Sequence, residues 1–304
     1  MLTVSNYHYI RENFTTPYPS IFGLTPEMLK KQLLLLKESG RFIHPKDLLL
    51  NTDEILKSQQ NYILVTFDDG LKEQYTNALP ILDELTIPAL FFINSINHLE
   101  KKVSLVHKIH LLRSIISSEE ILKKINQKRL IVFSNEQKRI AQETYRFDDK
   151  KSAEFKYLLN FLMSISEQEL VINNLFEKHF KEKEVIENLY MDKTDLIKLA
   201  EKGYLGSHTH SHYPIGLLNS KAIEFELKYS KQYLEELTKI KVELVSYPYG
   251  TATSITPKVI EIAKKVGYKI GFSTKAGINS INQKKLLLNR FDCNDLIGGK
   301  NYKL

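Results

Sequence analysis

Apolar residues fall in short strand-like runs near both ends of this chain and at helical spacing through its middle. Residues 2–10 read as a first strand. Residues 25–39 space leucines as a helix face does, with Thr25 as N-cap and Pro26 at the first helical position. The unbroken run Tyr62, Ile63, Leu64, Val65 predicts a buried parallel strand over 62–67, followed by a helix over 71–85. A second such run covers 87–93. The alternation resumes with a helix over 194–202, a short strand over 204–206 and a long helix over 220–237. A strand over 242–247, a helix over 256–266 opened by Thr256 and Pro257, and a strand over 269–273 complete the series. This α/β alternation predicts a parallel sheet closed into a barrel.

From about residue 98 to 191 the alternation stops. Val106, Ile109, His110, Leu112 and Arg113 keep helical spacing, and the one strand-like stretch is Leu130, Ile131, Val132, Phe133. The expectation is a single domain over 1–304 carrying a mostly helical insertion over 99–190. Such an insertion either stabilises the barrel edge or shapes a substrate cleft.

Hydrophobic content of 42% and charged content of 26% fit a soluble globular protein. No apolar run approaches the ~20 residues of a membrane span, and the first residues lack the pattern of a signal peptide. Cys293 is the one cysteine, so neither an internal disulfide nor a cysteine metal cluster can form. A cytoplasmic protein without stable membrane insertion is expected. The net charge of +7 arises after residue 218, where fifteen Lys and Arg face eight Asp and Glu. That excess is either a solvated lysine-rich surface or a basic rim for a phosphate-bearing substrate, such as a nucleotide- or lipid-linked sugar. Nucleic acid is not expected, because no recognition motif accompanies the charge.

Two strings carry the chemistry. Thr66-Phe67-Asp68-Asp69-Gly70 delivers adjacent carboxylates to the C-terminal edge of a buried strand, where α/β enzymes keep their reactive groups. His208-Thr209-His210-Ser211-His212 spaces two imidazoles four residues apart, so both can reach one cation from a helical turn or tight loop. One carboxylate and two histidines make an open metal site, and the remaining carboxylate is free to act as a base.

These strings, followed by Ser246-Tyr247-Pro248-Tyr249-Gly250, resemble the motifs of the polysaccharide deacetylases, the NodB-homology or carbohydrate esterase 4 family. The resemblance implies a distorted, incomplete (β/α) barrel and removal of an N-acetyl group from an amino sugar or glycan intermediate in surface polysaccharide biosynthesis. It makes Asp68 the catalytic base and Asp69, His208 and His212 the ligands of a divalent metal. Zinc comes first; cobalt, nickel and iron also serve in the family. The third string maps the oxyanion-facing N–H onto Tyr249. His210 is expected to point elsewhere.

The chain departs from the usual pattern in two places. Ser246 or Tyr247 stands where the third motif normally begins with a base-supporting arginine, and no histidine follows His212 to supply the last motif's acid. Tyr7-His8-Tyr9 resembles the N-terminal strand of the permuted poly-N-acetylglucosamine deacetylases. That makes His8 the acid, on a strand neighbouring the one that carries Asp68. Arg290, in Leu288-Asn289-Arg290-Phe291-Asp292, is the candidate to pair with Asp68. A carbohydrate-binding barrel without catalysis, or a hydrolase of another small amide such as a formamide or cyclic amide, stays open.

Overall fold

The computed structural model of the chain describes residues 1–126, 132–145 and 148–302. It divides into two compact units, one made of residues 1–13, 23–104 and 183–304, the other of 14–22 and 105–182.

The first unit is built on a parallel sheet. Its strands are β1 (Leu2–Tyr7), β4 (Arg41–Phe42), β5 (Tyr62–Phe67), β6 (Ala89–Ile93), β7 (Leu205–Ser207), β8 (Leu244–Ser246), β9 (Ile270–Phe272) and β10 (Phe291–Asp292). A separate pair joins β2 (Tyr9–Ile10) to β3 (Gly23–Leu24). The sheet order is β10-β1-β5-β6-β7-β8-β9, with β4 paired to the start of β5. The C-terminal segment touches both edges: Leu288 bridges Phe272 of β9, while Phe291 and Asp292 pair with Ser5 and Asn6 of β1. The result is a distorted, incomplete (β/α) barrel.

Register places the strand ends together. Tyr7 lies opposite Phe67, Phe67 opposite Phe91, and Ile93 opposite Ser207. Ser207 lies opposite Val245, so His8, Asp68, Asn94 and His208 all leave the sheet at one edge. Successive strand residues face opposite sides. Val65, Phe67 and Phe91 pack with helix residues such as Leu33, Leu199 and Leu227 in one core cluster. Val4, Leu64, Leu90, Phe92, Leu244 and Phe272 belong to another, on the inner side. Asn6, Thr66, Gly206 and Ser246 lie in that inner series. At Gly206 a Cβ would come within 2.6 Å of the Phe92 ring, so the inner layer admits only hydrogen there.

The helices of this unit begin with α1 (Pro26–Ser39), capped by the Thr25 side chain, and α2 (Pro45–Lys57), capped by His44. Next come α3 (Leu79–Leu85), entered through a π turn at Gln74–Ala78, and α4 (Ile96–Leu99). The second unit holds α5 (Leu105–Ile115), α6 (Ser118–Asn126), α7 (Asn135–Thr144), α8 (Lys150–Tyr157) and α9 (Ile165–Phe176). Then follow α10 (Glu182–Leu189), α11 (Lys193–Glu201), α12 (Ser220–Thr238) and α13 (Pro257–Val266). No helix among the described residues is long and apolar enough to cross a membrane.

Local departures from the sequence reading have physical causes. The first strand breaks at His8, because the chain there leaves β5 to pair with β3 instead. β4 and β10 have two residues each, too few to show a period. Of the strand-like stretch Leu130–Phe133, Leu130 and Ile131 lie outside the described residues, and Val132 and Phe133 are in no strand.

Candidate metal centre

Two adjacent aspartates leave β5 in different directions. The Asp68 N–H still donates to the Tyr7 carbonyl at 3.0 Å, which keeps its side chain in the inward series. Asp69 and Gly70 then take left-handed φ values of +79° and +63°, turning the chain at once. A Cβ on Gly70 would meet Ile93 Cδ1 at 2.8 Å, so the turn leaves no space for a side chain.

Asp68 is gripped by Arg290. Arg290 Nη1 donates to Oδ1 at 2.8 Å and Nη2 to Oδ2 at 2.7 Å, a bidentate pair with both partners buried. Ser246 Oγ accepts from Arg290 Nη2 at 2.8 Å and donates to Asp68 Oδ2 at 3.2 Å. The other guanidinium donors reach the Ser273 carbonyl, Asn6 Oδ1 and Thr66 Oγ1, so the buried cation is fully hydrogen-bonded. Burial alone would raise the Asp68 carboxyl. Arg290 outweighs it, with smaller help from His208 and His8, and holds the pKa at about 2.

Asp69 faces the histidines instead. His208 N–H donates to the Ile93 carbonyl at 2.8 Å, continuing the sheet one residue past β7. Its Nδ1 lies 2.7 Å from the Ser246 carbonyl. A carbonyl can only accept, so Nδ1 carries the proton and the Nε2 lone pair is left for a ligand. That Nε2 is 3.5 Å from Asp69 Oδ1, and His212 Nε2 is 3.2 Å from the same oxygen. Tetrahedral ligands at roughly 2.0–2.1 Å from zinc lie about 3.3–3.4 Å apart. The buried N,N,O donor set therefore fits a divalent cation with a position left open, and the three ligand atoms lie within 4.8 Å of one another. Burial pushes the His208 imidazole down to about 4, so it is neutral at physiological pH, as a ligand must be. For His212, burial is overcome by the neighbouring Asp69 charge, which raises the imidazole.

The remaining residues frame this centre. Tyr249, at φ +63°, sets its ring edge-on to His212 with centroids 5.4 Å apart. Its carbonyl accepts from Thr274 Oγ1 at 2.9 Å, and among the described residues nothing accepts from its N–H. His8 follows β1 directly and is half-buried. Gln74 Nε2 donates to the carbonyls of both His8 and Asp68, at 2.9 and 2.6 Å, and ties the two strand ends together. His210 turns away, toward Ser95 Oγ at 2.7 Å and Glu100 Oε1 at 2.9 Å. Of the C-terminal lysines, Lys231, Lys265, Lys269 and Lys285 are paired with nearby carboxylates. For Ser246, Asn6, Thr66 and Gln74 the sequence reading assigns no role. Polar residues at inward positions of otherwise apolar strands are the signal that marks the first three.

A parallel, incomplete barrel with an Asp-His-His cluster that could hold a metal ion, and a second, clamped carboxylate beside it at the strand ends, is the frame on which the comparisons with known proteins fall. Residues 56–135 and 145–271 match the polysaccharide deacetylase family, and the chain belongs to that family. The fold is shared with the Streptococcus pyogenes deacetylase PplD, solved in complex with acetate. That likeness has 16% identity and a TM-score of 0.57, over 96% of this chain and 91% of that one. IcaB from Ammonifex degensii gives 18% identity and a TM-score of 0.58, over 95% and 90% of the two chains. The BpsB deacetylase domain from Bordetella bronchiseptica gives 14% identity and a TM-score of 0.57, over 96% and 95%. A search of curated proteins found no match.

Proposed function

We propose that this chain is a metal-dependent N-deacetylase acting on an N-acetylated amino sugar or glycan of a surface-polysaccharide pathway. Asp69, His208 and His212 hold a divalent metal, zinc first, with cobalt, nickel and iron as alternatives that these ligands also accept. Family membership and the Asp-His-His cluster support this reading. The observation that carries it is the division of labour in the aspartate pair: Asp69 faces two imidazoles, while Asp68 is locked in its ionised form by Arg290.

A divalent metal held by Asp69, His208 and His212 would supply Lewis-acid chemistry, polarising the amide carbonyl and lowering the pKa of water at the site. Asp68, a carboxylate with its orientation fixed, accepts the proton of the attacking water. The Tyr249 N–H faces the developing oxyanion, the charge whose stabilisation is commonly the largest catalytic contribution. His8 donates a proton to the departing amine from the neighbouring strand end. Ser246 serves both halves, holding His208 through its carbonyl and Asp68 through its hydroxyl.

Mass spectrometry of N-acetylglucosamine oligomers incubated with the zinc-loaded protein tests this directly. Loss of an acetyl mass with release of acetate is expected, and none with Asp68→Asn. Binding without mass loss would favour a non-catalytic barrel, and turnover of formamides alone would change the substrate class.

A further inference from the structure

Glu226 is an anomaly on its helix. The buried face of α12 carries Ile223, Leu227, Ser230, Tyr233 and Leu234, and Glu226 lies on that same face, 3% exposed. Carboxylates are almost never buried so deeply unless paired. Among the described residues no Lys, Arg or His stands within ion-pair distance of it. Its Oε2 instead accepts two successive backbone N–H groups, from His210 at 3.0 Å and Ser211 at 2.8 Å. Successive N–H groups converging on one point form an anion-binding concavity, and here the chain fills it with its own carboxylate.

That concavity is the middle of the histidine loop. Thr209 and His212 flank it with left-handed φ values of +63° and +61°. Such backbone is unfavourable for residues with a side chain and persists only where its surroundings over-determine it. Further restraints come from neighbouring residues: Ser95 and Ile96 N–H groups donate to the Thr209 and His210 carbonyls at 3.3 and 3.1 Å, and Thr209 N–H donates to Ser207 Oγ at 3.3 Å. Ser95, His210 and Glu100 line up like a nucleophilic triad, but Ser95 is fully buried and can meet no substrate, so this contact also only holds the loop.

We propose that Glu226 is a positioning residue that sets the metal affinity of the centre, by fixing the His210–Ser211 backbone so that His212 and His208 meet Asp69 at ligand spacing. The proposal rests on the metal-site reading given above. Zinc affinity of the full chain, measured by competition with a chromophoric chelator, tests it without any substrate. Glu226→Ala should weaken zinc binding about 10–100-fold, the usual effect of removing an outer-shell partner. Glu226→Gln, whose amide oxygen can still accept both N–H groups, should stay within a few-fold of the wild type. Glu235→Ala is the control for helix damage: Glu235 lies on the same helix, accepts from Val242 N–H at 2.9 Å and pairs with Lys231 at 3.1 Å. It should lower thermal stability and leave zinc affinity unchanged. If Glu226→Ala does not fold, Glu226→Asp, which keeps the charge but withdraws the oxygen by one methylene, should weaken zinc at least tenfold. Unchanged affinity in the Ala or Asp variant, or equal weakening by Glu235→Ala, overturns the proposal. A wild-type chain that binds no zinc overturns the metal reading itself, a result distinct from either.

Discussion

Adjacent carboxylates repel, and a buried pair can stay ionised only if each finds its own compensation. Asp68 has the Arg290 guanidinium, and Asp69 has the two imidazoles, with the divalent cation proposed to lie among them. Removing one partner of a buried pair leaves an uncompensated charge, so Arg290→Met should cost about 3–5 kcal/mol of stability. It should also change the pH profile. Asp68 acts as a base only when ionised, and Arg290 is what holds its carboxyl near 2 against burial. Without the guanidinium that pKa rises, and activity on the acid side is lost at a higher pH than in the wild type. Identical denaturation curves and pH–rate profiles would remove Arg290 from this role. The role proposed for His8 has a different signature, since general acid catalysis contributes about 10²–10⁴-fold in rate. His8→Ala should lose activity of that order while metal content stays unchanged, and near-normal turnover would leave the acid unidentified.

The elements explain why these residues meet. Strands β5 and β6 were legible because their apolar runs are continuous, and the long helix α12 because its buried face repeats at helical spacing. From those positions alone, Asp68, Asp69 and the histidine string arrive at one sheet edge. Other parts were hidden for physical reasons. A two-residue strand such as β10 has no period, so its pairing with β1, which carries Arg290 across the inner side, depends on contacts distant in sequence. By resemblance an arginine is expected where this chain has Ser246 or Tyr247, and here a guanidinium reaches Ser246 and Asp68 from the C-terminal segment instead. Glu226 reads from sequence as one more helical acid until its N–H partners are placed. Strand geometry also yields a prediction. Gly206→Ala would drive a methyl into the Phe92 ring and toward the Leu244 carbonyl, at 2.6 and 3.3 Å. Overpacking of this kind should cost about 1–3 kcal/mol, read as a lower denaturant midpoint with unchanged slope. An unaltered midpoint would mean that the inner layer yields more easily than its packing implies.

At the scale of the first unit, one C-terminal segment both ties the two edges of the sheet and completes the candidate site. The segment that joins β9 to β1 through Leu288, Phe291 and Asp292 also delivers Arg290 to Asp68. Ser246, at the end of β8, touches Arg290, Asp68 and His208 together. A single fold thus gives two neighbouring aspartates different surroundings, and with them the different work proposed for each. Metal content of the purified Asp68→Asn and Asp69→Asn proteins, compared with the wild type, measures that directly. Asp68→Asn should retain the wild-type amount of zinc and Asp69→Asn should lose it. Equal retention, equal loss, or the reverse order would contradict the assignment of the pair.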